Sequence, residues 1–320
     1  MLEKMAKYSN AEEWADIVPI PQDDGPGQPL AAIAYSDDYV EAMSYLRAVM
    51  ANNEMSERAL HLTEDIIRMN PAHYTVWLYR SRILFATSSS LPAEITWLNT
   101  IALKYQKNYQ IWHHRHTIVD ALNSCTGEQD FLSQMFELDM KNYHVWSYRQ
   151  WLVKRFDLWE GKGELEAVES ILERDVRNNS AWNHRWYLVF GRGESCFEDK
   201  ERVRREVDYA KEAIHLAPQN QSPWNYIRGL IRQTKGPAAL SLASFKQFAS
   251  EFASLDDPDN VTSSHALDLL AEILAEREGD AADAAKALDL LAKKYDPIRE
   301  NYWKYRKSLL VGQGGVKAAA

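Results

Sequence analysis

Lys107-Asn108-Tyr109-Gln110-Ile111-Trp112-His113-His114-Arg115 returns 34 residues later as Lys141-Asn142-Tyr143-His144-Val145-Trp146-Ser147-Tyr148-Arg149. The shared skeleton is an Asn four places before a Trp and an Arg three places after it. Trp77/Arg80, Trp182/Arg185 and Trp303/Arg306 repeat the Trp–Arg pair, and Trp224 repeats it with its Arg one place late, at Arg228. The Trp-to-Trp steps are 35, 34, 36, 42 and 79 residues, so one degenerate unit is expected within residues 236–295.

The flanks say how each unit folds. Asn108, Asn142, Asn178 and Asn220 can cap the free amides of a first helical turn, and Pro71, Pro218 and Pro297, each six places before a Trp, cannot continue a preceding helix. Every Trp then falls in the first turns of a helix, with its Arg on the same face. Upstream, Ala59, Leu60, Leu62, Ile66, Ile67 and Met69, and later Phe131, Leu132, Met135, Phe136 and Leu138, recur at helical spacing. Each unit of about 35 residues is thus a helix-turn-helix that must stack on its neighbours to bury its apolar stripe. The predicted fold is all-α, a right-handed superhelix of hairpins like a tetratricopeptide solenoid. The Trp residues are expected in the core, and each Arg on an acid such as Asp139 or Asp175 from a neighbouring helix.

Helices are expected from Asp37 to Leu310, making residues 37–310 the repeat array, with an extended N-terminal segment over 1–36 and a disordered tail over 311–320. Within the former, residues 18–30 are too rich in Pro and Gly for helix and either run extended over a surface or form a flexible linker. Composition fits a folded soluble chain, at 46% apolar and 26% charged residues. A net charge of -9 speaks against nucleic acid as a partner. No segment reaches the roughly 18 apolar residues of a membrane span, and the first residues lack an apolar signal core, so the cytoplasm is the expected location. Cys125 and Cys196 are too far apart for a short metal or redox motif and read as inert thiols.

Chemistry is sparse. The chain has no nucleophile elbow, no Gly-rich phosphate loop and no HExxH segment. The His113-His114-Arg115-His116 cluster shares its place with a cation and lacks a nearby carboxylate or thiol, so no metal is expected there. What stands out is the turn before each second helix, where Lys107 and Lys141 add a cation to an amide-rich, positively polarised helix start. That combination suits a phosphate or a carboxylate, although solvated Lys and packing Tyr residues would read the same way.

Lys-Asn-Tyr-Gln-Ile-Trp-His-His-Arg, Lys-Asn-Tyr-His-Val-Trp-Ser-Tyr-Arg-Gln-Trp and Val-Arg-Asn-Asn-Ser-Ala-Trp-Asn-His-Arg resemble successive repeats of the protein prenyltransferase alpha subunits. The likeness extends to Pro-Ile-Pro-Gln-Asp-Asp-Gly-Pro near the N-terminus and to Asn70-Pro-Ala-His-Tyr-Thr-Val-Trp77. It implies the alpha subunit shared by protein farnesyltransferase and geranylgeranyltransferase type I, inactive alone and wrapped around a separate beta subunit. The implied reaction moves a farnesyl or geranylgeranyl group from its diphosphate to the cysteine of a carboxy-terminal CaaX motif, as in small GTPases. Zinc would belong to the beta subunit and magnesium to the farnesyl reaction, with no cofactor bound by this chain alone.

By the same resemblance Lys107 reaches the prenyl diphosphate and Tyr109 lies beside its reacting end. Gln110 hydrogen-bonds the peptide's terminal carboxylate, and Tyr74, Asn142, Tyr143 and His144 border the peptide and diphosphate site. Two rivals remain. The alpha subunit of Rab geranylgeranyltransferase carries the same repeats but usually extra domains. A non-catalytic tetratricopeptide-type scaffold shares the period but builds its helix crossings on small Gly and Ala residues.

Overall fold

Caps and apolar runs fold as the spacing predicts. The computed structural model describes residues 7–316 apart from 24, 26, 28, 29, 32, 161, 162 and 278, and the side chains of 311–316 are also outside it. The described residues contain fifteen α-helices and no strand. They fall into two units, Met1–Phe156 and Asp157–Ala320.

The first unit holds α1 (Asp37–Ala51), α2 (Glu57–Met69), α3 (Tyr74–Ala86), α4 (Leu91–Lys104), α5 (Tyr109–Leu122), α6 (Glu128–Leu138) and α7 (Tyr143–Arg155). Trp77, Trp112 and Trp146 are buried near the starts of α3, α5 and α7. Their indole N–H groups donate to the carbonyl six residues earlier: Pro71 at 2.8 Å, Gln106 at 3.2 Å and Met140 at 2.9 Å. The ring therefore fills the core while its one polar atom ties down the preceding turn.

In the second unit come α8 (Glu164–Arg174), α9 (Asn179–Phe190), α10 (Lys200–Leu216), α11 (Gln221–Gln233), α12 (Lys246–Ser250), α13 (Ser264–Glu276), α14 (Ala281–Leu290) and α15 (Glu300–Val316). Trp182 and Trp224 use the same bond, to Val176 O at 2.8 Å and Pro218 O at 2.9 Å. Trp303 departs from it and donates to Asp296 Oδ2 at 2.9 Å.

Three of these turn carbonyls, those of Gln106, Val176 and Pro218, also anchor the next repeat. Asn142 caps α7 through Oδ1, accepting from His144 N–H at 2.9 Å, while its Nδ2 donates to Gln106 O at 3.1 Å. Asn220 caps α11 and donates to Val176 O at 2.8 Å. Ser263 caps α13 and donates to Pro218 O at 2.6 Å. This last bond locates the degenerate unit expected within 236–295: Ser263 stands in the Asn place, and Leu267 and Leu270, both buried, stand where Trp and Arg would be.

Three of the repeat arginines, Arg80, Arg115 and Arg185, are buried and paired with Glu94, Glu128 and Glu206 rather than with the expected Asp139 or Asp175, while Arg228 and Arg306, both half-buried, share Asp268. Arg80 meets both oxygens of Glu94 at 2.7 and 2.6 Å, Arg115 those of Glu128 at 2.8 and 2.7 Å, and Arg185 those of Glu206 at 2.6 and 3.0 Å. Glutamate on the following helix has the reach for a two-pronged pair, whereas Asp139 and Asp175 end α6 and α8, accepting the backbone N–H of Lys141 and Arg177 at 2.9 Å. A third helix completes each set. His114 Nε2 lies 2.9 Å from Glu94 Oε1, Tyr148 donates to Glu128 at 2.7 Å and Tyr226 to Glu206 at 2.8 Å.

The ends need two adjustments. Tyr8, Trp14 and Ile17 are buried, and Glu41 accepts the backbone N–H groups of Lys7, Tyr8 and Ser9 at 3.0, 3.2 and 3.0 Å, so this part of the N-terminal segment is packed on α1. At the other end α15 continues to Val316, past the expected stop at Leu310, since glycine weakens a helix by only about 1 kcal/mol per residue without forbidding it. Of the two end segments, residues 1–6, the five omitted positions between 24 and 32, and 317–320 lie outside the described residues.

Candidate functional site

Tyr74, Tyr109 and Tyr143 are the first residues of α3, α5 and α7, three residues before a buried Trp. Their rings nonetheless face outward: they are 73%, 69% and 69% exposed. Between α3 and α5 runs a groove of about 530 Å³, lined by Tyr74, Leu78, Phe85, Tyr109, Gln110 and His113 among others. Leu78 and Phe85 are exposed although α3 already buries Val76, Trp77, Ile83 and Leu84 on its other side. A helix apolar all round is usually covered all round. These two residues were not singled out from sequence, yet Tyr74, Leu78, Ser81 and Phe85 follow one helical face and carried the signal.

The remaining candidates gather where α5 and α7 begin. The Tyr109 ring meets His144 edge-on, centroids 4.4 Å apart at 90°, and Tyr143 flanks His144 at 5.6 Å. Burial pushes the His144 imidazole below its ordinary pKa, which favours the neutral ring. Lys107 extends from the turn before α5, 73% exposed, and its Nζ lies 3.2 Å from Asp139 Oδ2. The Asp139 carboxyl is held below the usual carboxylate range by the Lys141 backbone N–H and then by Lys107, against the opposing effect of desolvation. Asn142 is 2% exposed and is engaged at both ends of its amide, so it shapes the turn rather than offering a surface group.

Tyr74, Tyr109 and Gln110 thus share one groove, and Tyr109, Tyr143 and His144 form one aromatic cluster beside it. Lys107 lies at the neighbouring turn, and Asp139 is the site residue whose present part sequence reasoning did not anticipate. The His cluster is occupied otherwise: His114 sits on Glu94, and His116 packs against Trp151 and Tyr148 at 4.2 and 4.9 Å. Among the described residues no group of three or more His, Cys, Asp or Glu could hold a metal ion. No helix among them is long and apolar enough to cross a membrane.

Indole-anchored helix hairpins, joined by buried Arg–Glu pairs and presenting Lys and Tyr at their turns, define a class of repeat protein. Residues 56–87, 91–122, 125–156, 162–191 and 203–234 match the protein prenyltransferase alpha subunit repeat. The chain is 39% identical over 306 residues to the protein farnesyltransferase/geranylgeranyltransferase type-1 subunit alpha of Candida albicans, covering 93% of this chain and 97% of that one. It is 46% identical over 228 residues to the subunit of the same name from Schizosaccharomyces pombe, covering 71% and 75%. The solved structure titled Candida albicans protein geranylgeranyltransferase-I complexed with GGPP superposes with a TM-score of 0.84 at 37% identity, over 96% of this chain and 100% of that chain. The chain belongs to the protein prenyltransferase alpha-subunit family, in its farnesyltransferase/geranylgeranyltransferase type-1 branch.

Proposed function

We propose that this chain is the alpha subunit of a heterodimeric CaaX protein prenyltransferase that works in the cytoplasm. It transfers a farnesyl or geranylgeranyl group from its diphosphate to the cysteine of carboxy-terminal CaaX motifs, with small GTPases among its substrates, and needs a beta subunit to do so. The cysteine sulfur, its proton lost to solvent, forms a bond to C1 of the isoprenoid as the C1–O bond breaks, and diphosphate leaves with the bonding pair. Zinc and magnesium stay with the assembled enzyme and its partner subunit. This chain's share is electrostatic and positional, and residues 37–310 act as one repeat array that carries it.

In this reading Lys107 meets the charge that develops on the leaving diphosphate, helped by the positive ends of α5 and α7. Tyr109 lies beside the reacting end and is braced by His144. Gln110, on the groove, donates to the terminal carboxylate of the peptide. Tyr74 and Tyr143 border peptide and diphosphate, and Asn142 sets the turn that aims Tyr143. The exposed Leu78 and Phe85 give the groove an apolar wall suited to being covered by the partner or the peptide.

The observation that carries the proposal is the grouping of Tyr74, Tyr109 and Gln110 on one groove with Lys107 at the adjoining turn, in a chain whose full-length relatives bear the type-1 name. Co-expression with a candidate beta subunit, followed by prenylation of a CaaX peptide, tests it. A stoichiometric pair that transfers the isoprenoid is expected. A peptide-binding scaffold would give neither pair nor transfer.

A further inference from the structure

Lys107 carries its ammonium on a long, mostly exposed stem, and fixing such a side chain at the moment of reaction is entropically costly. Asp139, by contrast, is anchored by the turn it stands in. Its N–H donates to Met135 O at 3.1 Å, its carbonyl accepts from Asn142 N–H at 3.1 Å, and its Oδ1 accepts from Lys141 N–H at 2.9 Å. The second carboxylate oxygen is left facing Lys107 Nζ at 3.2 Å. The two residues come from successive repeats, Lys107 before α5 and Asp139 at the end of α6. The pair therefore spans the turns that open α5 and α7, where the Tyr109–His144 contact also lies.

We propose that Asp139 is a positioning residue for prenyl transfer: anchored by its own turn, it holds the Lys107 ammonium extended between the starts of α5 and α7 before the diphosphate arrives. The inference rests on the reading of Lys107 as the diphosphate contact. Lys107 is exposed and Asp139 half-buried, so the pair is weak, and a diphosphate, with more charge than one carboxylate, can draw the ammonium across without a large barrier. What Asp139 contributes is a smaller search for the productive geometry.

Four heterodimers assembled with the beta subunit test this in single-turnover transfer to a CaaX peptide: wild type, Lys107→Ala, Asp139→Asn and the double variant. Asp139→Asn keeps an oxygen for the Lys141 N–H, so the turn is preserved while the charge is lost. Asp139→Asn is expected to slow transfer by about twofold to fivefold, the range an exposed ion pair supplies, with unchanged peptide KM and thermal unfolding. Asp139→Glu should recover most of the rate, and the double variant should be no slower than Lys107→Ala alone. Wild-type transfer by Asp139→Asn alongside a slow Lys107→Ala would overturn the positioning role and leave Lys107 standing. Losses that multiply in the double variant would also overturn it, by showing that Asp139 acts elsewhere. A Lys107→Ala enzyme at the wild-type rate would remove the role of Lys107 and this inference with it.

Discussion

Tyr148 Oη donates to Glu128 Oε2 at 2.7 Å, the same oxygen that accepts from Arg115 Nε at 2.8 Å, so one carboxylate joins three helices. The Arg115 guanidinium carbon also lies over Phe131, 3.6 Å from the ring centroid. Glu128→Gln would leave a guanidinium buried beside a neutral amide. A loss of about 3–5 kcal/mol is expected in chemical denaturation, against about 1 kcal/mol for Tyr148→Phe, which removes a single hydrogen bond.

The doubly bonded turn carbonyls make a second expectation. Asn142→Ala and Ser263→Ala each delete a helix cap and the bond to the preceding repeat, to Gln106 O and Pro218 O. Each should cost roughly 1–3 kcal/mol. A Ser263→Ala protein as stable as wild type would mean that the unit around α13 is not joined to α11 as the other repeats are joined.

Acid sensitivity follows from His116. Burial, and then the nearby His113, push its imidazole down to about 4 from an ordinary value of 6.5. Below pH 6.5 the unfolded chain binds a proton there that the folded chain refuses. The contribution of His116 is therefore complete above pH 6.5, declines as pH falls toward about 4, and levels off below it. After allowance for solvent screening the loss is on the order of 1–2 kcal/mol. Denaturation curves at pH 7.5 and 4.5 should show a smaller difference for His116→Phe than for wild type.

Gln110 offers a test of substrate binding that leaves the chemistry alone. If its amide holds the peptide carboxylate equally in the bound and transition states, Gln110→Ala raises the peptide KM by about tenfold and spares kcat. A fall in kcat with an unchanged KM would assign Gln110 to the reacting end instead.

The period of Trp, Arg and Asn made the hairpins legible, because each type answers a local demand: a capped helix start, a large ring for the core, a charge on the same face. The acid partners were not legible. Arg80, Arg115 and Arg185 find their glutamates 14, 13 and 21 residues later, at offsets set by how long the intervening turns and helices are. Ser263 and Leu267 were hidden for a related reason, since a repeat that keeps the cap and fills the core with Leu loses the two residues by which it is recognised. At the site, a Lys beside a helix start is visible in sequence but ambiguous. The exposure of Tyr74, Leu78 and Phe85 needs coordinates, because only packing decides which of the apolar faces of α3 is buried.

Lys107 bears the central claim, and the single-turnover rate of isoprenoid transfer by the assembled heterodimer probes it without interference from product release. Lys107→Ala should lower that rate at least tenfold, about 1.4 kcal/mol of lost transition-state stabilisation, while the two subunits still co-purify. An intact Lys107→Ala heterodimer that transfers the isoprenoid at the wild-type rate would contradict the assignment.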